Sequence, residues 1–236
     1  MPAEVFIANW KKQGHPYKHV PQWVEQMRKK ENSFSGKKII VAPPDFDIVT
    51  LKREINSANL SNKIDVALQD IEIPNLEGLN HTGATPLDVL PEFASYAILG
   101  HSETRIDKKL SDEDVARRAE LSQQLGLIPI VCFSNIKQVK AFERKLRGFQ
   151  GLTAYEPSGS IDSGKPATPD DAASMAYQIK QILGKDVPVL YGGSVDAENV
   201  GSFLQKLAIS GVIIGRRSIE ANSFFIPLIE NGIKSS

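Results

Sequence analysis

Short apolar runs recur along the chain at Val5–Ala8, Lys38–Ala42, Ile64–Leu68, Tyr96–Leu99, Ile128–Cys132, Leu152–Tyr155, Val187–Tyr191 and Gly211–Ile214. Their apolar residues are consecutive, not alternate. Strands covered on both faces have this pattern, because both sets of side chains meet a packed layer, and that is the situation in a buried parallel sheet. The stretches between them read as helices. Trp23, Met27 and Lys30 mark one face of the first. Ser111-Asp112-Glu113-Asp114 precedes Val115, Ala116 and Ala119, which places a capping hydroxyl and dipole-matched acids at a helix start. Thr168-Pro169-Asp170-Asp171 gives the same signal, with proline at the first helical position. Strands alternating with helices predict right-handed βαβ units in an α/β fold. The order of elements alone leaves two closures open, a (β/α)8 barrel and an open doubly wound sheet.

Composition narrows this further. A (β/α)8 barrel takes roughly 250 residues as one domain, and the 236 residues here, 41% hydrophobic and 24% charged, suit one barrel spanning 1–236. Lysine plus arginine equals aspartate plus glutamate at 28 each, so the chain has no net basic charge to draw it to nucleic acid or an anionic membrane. A small anionic ligand has to be held by local groups. The single cysteine, Cys132, rules out an internal disulfide, which fits a reducing compartment. It lies in the apolar run Leu127–Phe133 and reads as a small buried hydrophobe, not a nucleophile. Met1–Trp10 lacks the pattern of a signal peptide, and no apolar run approaches the ~20 residues of a membrane span, so a cytoplasmic protein is expected. His15, His19 and His81 show no spacing with carboxylates that specifies a metal site, and no metal is expected.

Barrel active sites form where strands end and loops begin. Five strand ends carry polar, ionisable or glycine-rich residues: Asn9-Trp10-Lys11, Gly100-His101-Ser102-Glu103, Tyr155-Glu156-Pro157, Tyr191-Gly192-Gly193-Ser194 and Gly215-Arg216-Arg217-Ser218. Glu156, backed by rigid Pro157, is a candidate general base; the alternative is a surface glutamate in a turn. His101 is a candidate for polarising a carbonyl or moving protons, against a structural histidine, and Ser102-Glu103 is expected to cap a helix behind it. Lys11, beside Lys12, is either a site cation or one of a solvated pair. Gly192-Gly193-Ser194 and the turn at Gly215 suit a phosphate cradle, where glycines leave backbone N–H groups unobstructed; tight turns use glycine as well. Residues 158–166, small and polar around Ile161, form either a lid beside Glu156 or a loose connector.

In order and spacing, Asn9-Trp10-Lys11, Leu99-Gly100-His101-Ser102-Glu103, Ala154-Tyr155-Glu156-Pro157, Gly164-Lys165-Pro166-Ala167-Thr168-Pro169 and Tyr191-Gly192-Gly193-Ser194-Val195 resemble the triosephosphate isomerase family from end to end of the chain. The resemblance implies a (β/α)8 barrel and the interconversion of dihydroxyacetone phosphate and glyceraldehyde 3-phosphate, with no metal or organic cofactor. It implies Glu156 as the base, a neutral His101 polarising the carbonyl, Lys11 supplying positive charge, Asn9 orienting the substrate and Glu103 supporting the site. The lid would carry Asp162 and Ser163 to the phosphate, beside Ser194, Gly192, Gly193, Gly215 and Arg216.

The chain departs from the family pattern at several points. Ser158 and Gly159 stand where the lid usually has valine and tryptophan, Asp162 replaces a usual glycine, and Gly215-Arg216 replaces a usual double glycine. Arg216 either crowds the phosphate site or adds a positive charge to it. Thr82-Gly83 matches the loop through which most members dimerise, so a homodimer is expected. Ala84 and Thr104 replace the ion pair that usually anchors that loop. The short segment 134–151 is similar to that of the compact, tetrameric archaeal enzymes. Two rival readings remain: a non-catalytic phosphate-binding barrel or scaffold of the same family, and a barrel isomerase acting on a larger sugar phosphate.

Overall fold

The computed structural model describes residues 4–15, 17–73, 87–158 and 166–232. Strands β1 (Glu4–Asn9), β2 (Lys37–Ala42), β3 (Ile64–Leu68), β4 (Tyr96–Leu99), β5 (Ile128–Phe133), β6 (Leu152–Tyr155), β7 (Val189–Tyr191) and β8 (Gly211–Ile214) pair in sequence order. β8 returns to β1, pairing Val5 with Gly211 and Ala8 with Ile214, so the parallel sheet closes into a barrel. Around it lie α1 (His19–Lys29), α2 (Ile48–Ser57), α3 (Leu90–Phe93), α4 (Ser102–Asp107), α5 (Asp112–Gln124), α6 (Ile136–Lys145), α7 (Pro169–Leu183), α8 (Val200–Leu204) and α9 (Ile226–Asn231). The open-sheet alternative is excluded by the β1–β8 ladder.

The barrel has two separate hydrophobic cores, and they account for the consecutive apolar runs. Ile7, Ile40, Ile98, Ile130 and Ile213 point into the barrel, whereas Phe6, Ala8, Ile39, Val41 and Val212 face the helices. Every second residue is buried inside and the rest are buried outside. Small interior side chains, Ala42, Ala67, Cys132 and Ala154, lie toward the C-terminal ends of their strands. They leave room at that mouth for polar groups.

The strand boundaries follow the sequence closely. β7 begins at Val189 and not at Val187, because Pro188 has no N–H to enter a ladder and its carbonyl instead accepts from Thr153 N–H at 2.9 Å. The buried face of α1 is Val20, Trp23, Val24 and Met27, and Lys30 is exposed beyond its end. The two helix starts read from capping residues form as expected. Ser111 and Asp114 make a reciprocal capping box, and Thr168 accepts from Asp171 N–H ahead of Pro169. Trp10 and Trp23, both fully buried, meet edge-on at 5.5 Å, and Trp23 Nε1 donates to Ser218 O at 3.0 Å. That bond ties α1 to the segment after β8, which forms one wall of the mouth.

Candidate active site

A cavity of about 260 Å³ opens at the C-terminal mouth, lined by Asn9, Lys11, His101, Glu156, the turn from Gly192 to Asp196, and Gly215 with Arg216 and Arg217. Glu103 stands just outside this lining, held to Lys11. Thus the structure brings together all of the site residues read from the sequence except Asp162 and Ser163, which lie outside the described residues. Most of the lid, residues 159–165, and Thr82, Gly83 and Ala84 of the dimerisation loop also lie outside them.

Lys11 follows β1 directly in a left-handed backbone conformation, φ 52°. A non-glycine residue in this region costs on the order of 1–3 kcal/mol and persists only where its surroundings hold it. Two hydrogen bonds do so here. Lys11 N–H donates to Asn9 Oδ1 at 3.0 Å, and Gln69 Nε2 donates to Lys11 O at 2.7 Å and to Ala42 O at 3.0 Å. The lysine side chain then runs past Gly215, where an added Cβ would stand 3.2 Å from Lys11 Cε. Its Nζ lies 2.7 Å from Glu103 Oε1.

His101 is the N-cap of α4: its Nδ1 accepts Glu103 N–H at 3.3 Å. Ser102, expected to cap that helix, is its first residue. An imidazole nitrogen that accepts a hydrogen bond carries no proton, so the neutral ring bears its proton on Nε2. Nε2 points across the mouth to Glu156 Oε1, 3.4 Å away. Glu156 is only 3% exposed, and its backbone N–H is fixed by Phe133 O at 2.8 Å. Its second carboxylate oxygen, Oε2, is buried without a hydrogen-bond partner among the described residues. Burying a carboxylate oxygen without a partner is costly, and such groups mark sites built for chemistry. The Cys132 thiol stands against this carboxylate. Burial first, and the Glu156 charge second, push it well above its ordinary range, so Cys132 is the inert buried residue its sequence context suggested.

Glycine at 192 is required by a close approach. A Cβ there would sit 2.6 Å from Ile213 Cγ2 and 3.1 Å from Glu156 Cγ. The adjoining turn passes through Ser194 at φ 49°. Asp196 Oδ1 accepts the N–H groups of Glu198 and Asn199, which closes the turn behind it. At the far end of the lid segment, Ala167 N–H donates to the Tyr191 hydroxyl at 2.8 Å.

Three contributors were given no site role from the sequence. Gln69 follows β3 as a polar residue at a strand end, so the rule that selected the other ends would have found it. Arg217 was legible as the neighbour of Arg216. The Tyr191 hydroxyl gave no sequence signal, because a tyrosine in an apolar run reads as core.

Comparison with known proteins agrees with the barrel fold. The family model described as triosephosphate isomerase matches residues 4–231. The chain is 29% identical over 245 residues to a triosephosphate isomerase of Photorhabdus laumondii subsp. laumondii. It is 30% identical over 246 residues to triosephosphate isomerases of Enterobacter cloacae and Escherichia coli. Each of these alignments covers 93% of this chain and 93% of the relative.

Proposed function

The chain belongs to the triosephosphate isomerase family and is an isomerase, and on that footing we propose that Glu156 is the base that moves a proton between adjacent carbons of a triose phosphate. The reaction interconverts dihydroxyacetone phosphate and D-glyceraldehyde 3-phosphate through an enediolate. The Glu156 carboxylate takes the proton from the carbon beside the carbonyl, and the C–H electron pair becomes the enediolate double bond. The carbonyl oxygen receives the displaced pair and is met by the His101 Nε2 proton and the Lys11 ammonium. His101 Nε2 gives its proton to that oxygen and takes one from the neighbouring hydroxyl, which becomes the new carbonyl, and returning the carbon-bound proton to the neighbouring carbon completes the isomerisation. The family is itself the standard case of a carboxylate base working with a neutral histidine.

The observation that carries this reading is the placement of His101 Nε2 within 3.4 Å of Glu156 Oε1, with the Lys11 ammonium on the same cavity. A positioned base contributes roughly 10²–10⁴ in rate. Each preorganised donor at the oxyanion contributes roughly 10²–10³. Neither class suffices alone, so both sides of the cavity are needed. Asn9 orients the lysine, Glu103 sets its charge environment, and Gly192, Gly193, Ser194 and Gly215 take the phosphate together with Asp162 and Ser163 of the lid, with Arg216 at the outer edge of that cradle. The chemistry calls for no metal or organic cofactor. The protein works as one barrel domain in the cytoplasm, as a homodimer.

The test is isomerisation of glyceraldehyde 3-phosphate in a coupled assay, with Glu156→Gln beside the intact protein. The expected result is turnover that falls by several orders of magnitude in the variant, while binding of a phosphate analogue persists. Substantial turnover in the variant removes Glu156 from the role of base.

A further inference from the structure

The wall formed after β8 carries more positive charge than one phosphate needs. Arg216 and Arg217 both line the cavity and are both exposed at its rim. Among the described residues neither has a carboxylate partner. The Arg217 guanidinium lies over the Phe224 ring, 4.0 Å from its centre. Stacking uses the face of the guanidinium and leaves its N–H edge available to an anion. The other charges of the cavity are committed. Lys11 is paired with Glu103. Asp196 accepts the backbone N–H groups of its own turn. Glu156 faces inward to His101. Among the described residues, the two arginines are therefore the uncommitted charges of the mouth.

Resting on the substrate orientation proposed above, we infer that Arg216 and Arg217 form a second anion subsite, on the solvent side of the phosphate cradle, for small molecules carrying a diphosphate group. The carbon chain of the substrate leads inward from the cradle to Glu156 and His101. A second anionic group reaches the arginines only if it extends outward from the cradled phosphate, and a diphosphate has that geometry. One phosphoryl group sits in the glycine turns, and the other meets guanidinium N–H groups, whose planar fork matches phosphate oxygens. Such a compound fills the cavity without offering a carbon to Glu156, so it competes with substrate and restrains the enzyme.

The test is titration calorimetry of the purified protein with inorganic diphosphate and with orthophosphate, at fixed ionic strength and without divalent cations, alongside the coupled turnover assay. Diphosphate is expected to bind at least tenfold more tightly than orthophosphate and to inhibit competitively. In Arg216→Ala/Arg217→Ala that preference should collapse to within about twofold, and in Arg216→Lys/Arg217→Lys it should be partly restored. Both arginines are exposed, and melting curves verify that the variants fold. Equal affinity for the two anions in the intact protein overturns the subsite, as does a preference that survives in the double alanine variant. Turnover without a diphosphate preference rejects the subsite alone. Absence of both turnover and orthophosphate binding rejects the subsite together with the functional reading beneath it.

Discussion

His101 Nε2 and Glu156 Oε1 lie 3.4 Å apart, although they come from loops after different strands of the barrel. The backbone N–H of Glu103 occupies the other ring nitrogen of His101, so the neutral ring presents a proton toward the carboxylate and the cavity. Nitrogen-15 NMR is expected to show the Nε2–H tautomer in the resting enzyme. His101→Ala removes the donor and should lower kcat by roughly 10²–10³, the range for loss of one preorganised oxyanion donor. A ring found protonated on Nδ1 would contradict the arrangement.

Gln69 holds two carbonyls at once, those of Lys11 and Ala42. Gln69→Leu leaves both acceptors without this donor and should destabilise the protein by about 1–3 kcal/mol. The Lys11 backbone then has less to hold it at φ 52°, so kcat/KM should fall as well. Denaturant unfolding and steady-state kinetics on the same variant measure the two effects. A stable variant with unchanged kcat/KM would leave Gln69 without a role at the site.

Gly192→Ala drives a methyl group against Ile213 and Glu156. Overpacking of this kind costs typically about 1–3 kcal/mol, and the least constrained response is displacement of the Glu156 side chain. We expect a drop in kcat larger than any change in KM. Gly36→Ala is the control: its φ is 73°, but nothing lies within 4 Å of the added methyl, so it should cost stability and leave kcat untouched.

The Cys132 thiol gives a pH signature. Its folded pKa is raised well above the ordinary 9.0, chiefly by burial. The folded protein therefore keeps this proton where the unfolded chain loses it. The stability linked to Cys132 is complete below pH 9 and declines as pH rises above that value. Cys132→Ala should flatten the alkaline part of the stability profile. In the native protein at pH 8 the thiol should resist disulfide reagents, reacting only at the rate of unfolding.

At the start of α5, Ser111 Oγ and its backbone N–H both bond the Asp114 carboxylate, and these bonds hold that carboxyl below its ordinary 3.8. The associated stability is present above that pH and is lost as pH falls through the depressed value. Ser111→Ala should cost about 1 kcal/mol, as is typical for an N-cap hydroxyl, with kinetics unchanged because α5 begins away from the cavity lining. Thermal melts at neutral and acid pH would show the difference between variant and parent shrinking in acid.

Much of this protein was legible in its sequence. Consecutive apolar residues marked the strands, because each strand is buried on both faces. Capping residues at Ser111 and Thr168 marked helix starts, because a side chain and a backbone N–H a few residues apart make that bond locally. Polar residues after apolar runs pointed to Asn9, Lys11, His101, Glu156, Gly192 and Gly215, and their order and spacing carried the family resemblance. What the sequence left open depended on contacts between distant segments. Closure of the barrel required β8 to meet β1, and neither strand announces its partner. The need for glycine at 192 came from the Ile213 and Glu156 side chains, not from the local turn. Gln69 gained its importance from carbonyls at the ends of two other strands. The position of Arg216 at the cavity was decided by where the segment after β8 runs. Trp23 holds that segment through Ser218, and both arginines are left at the rim of the cavity, because only tertiary packing sets which charges find partners and which face the ligand.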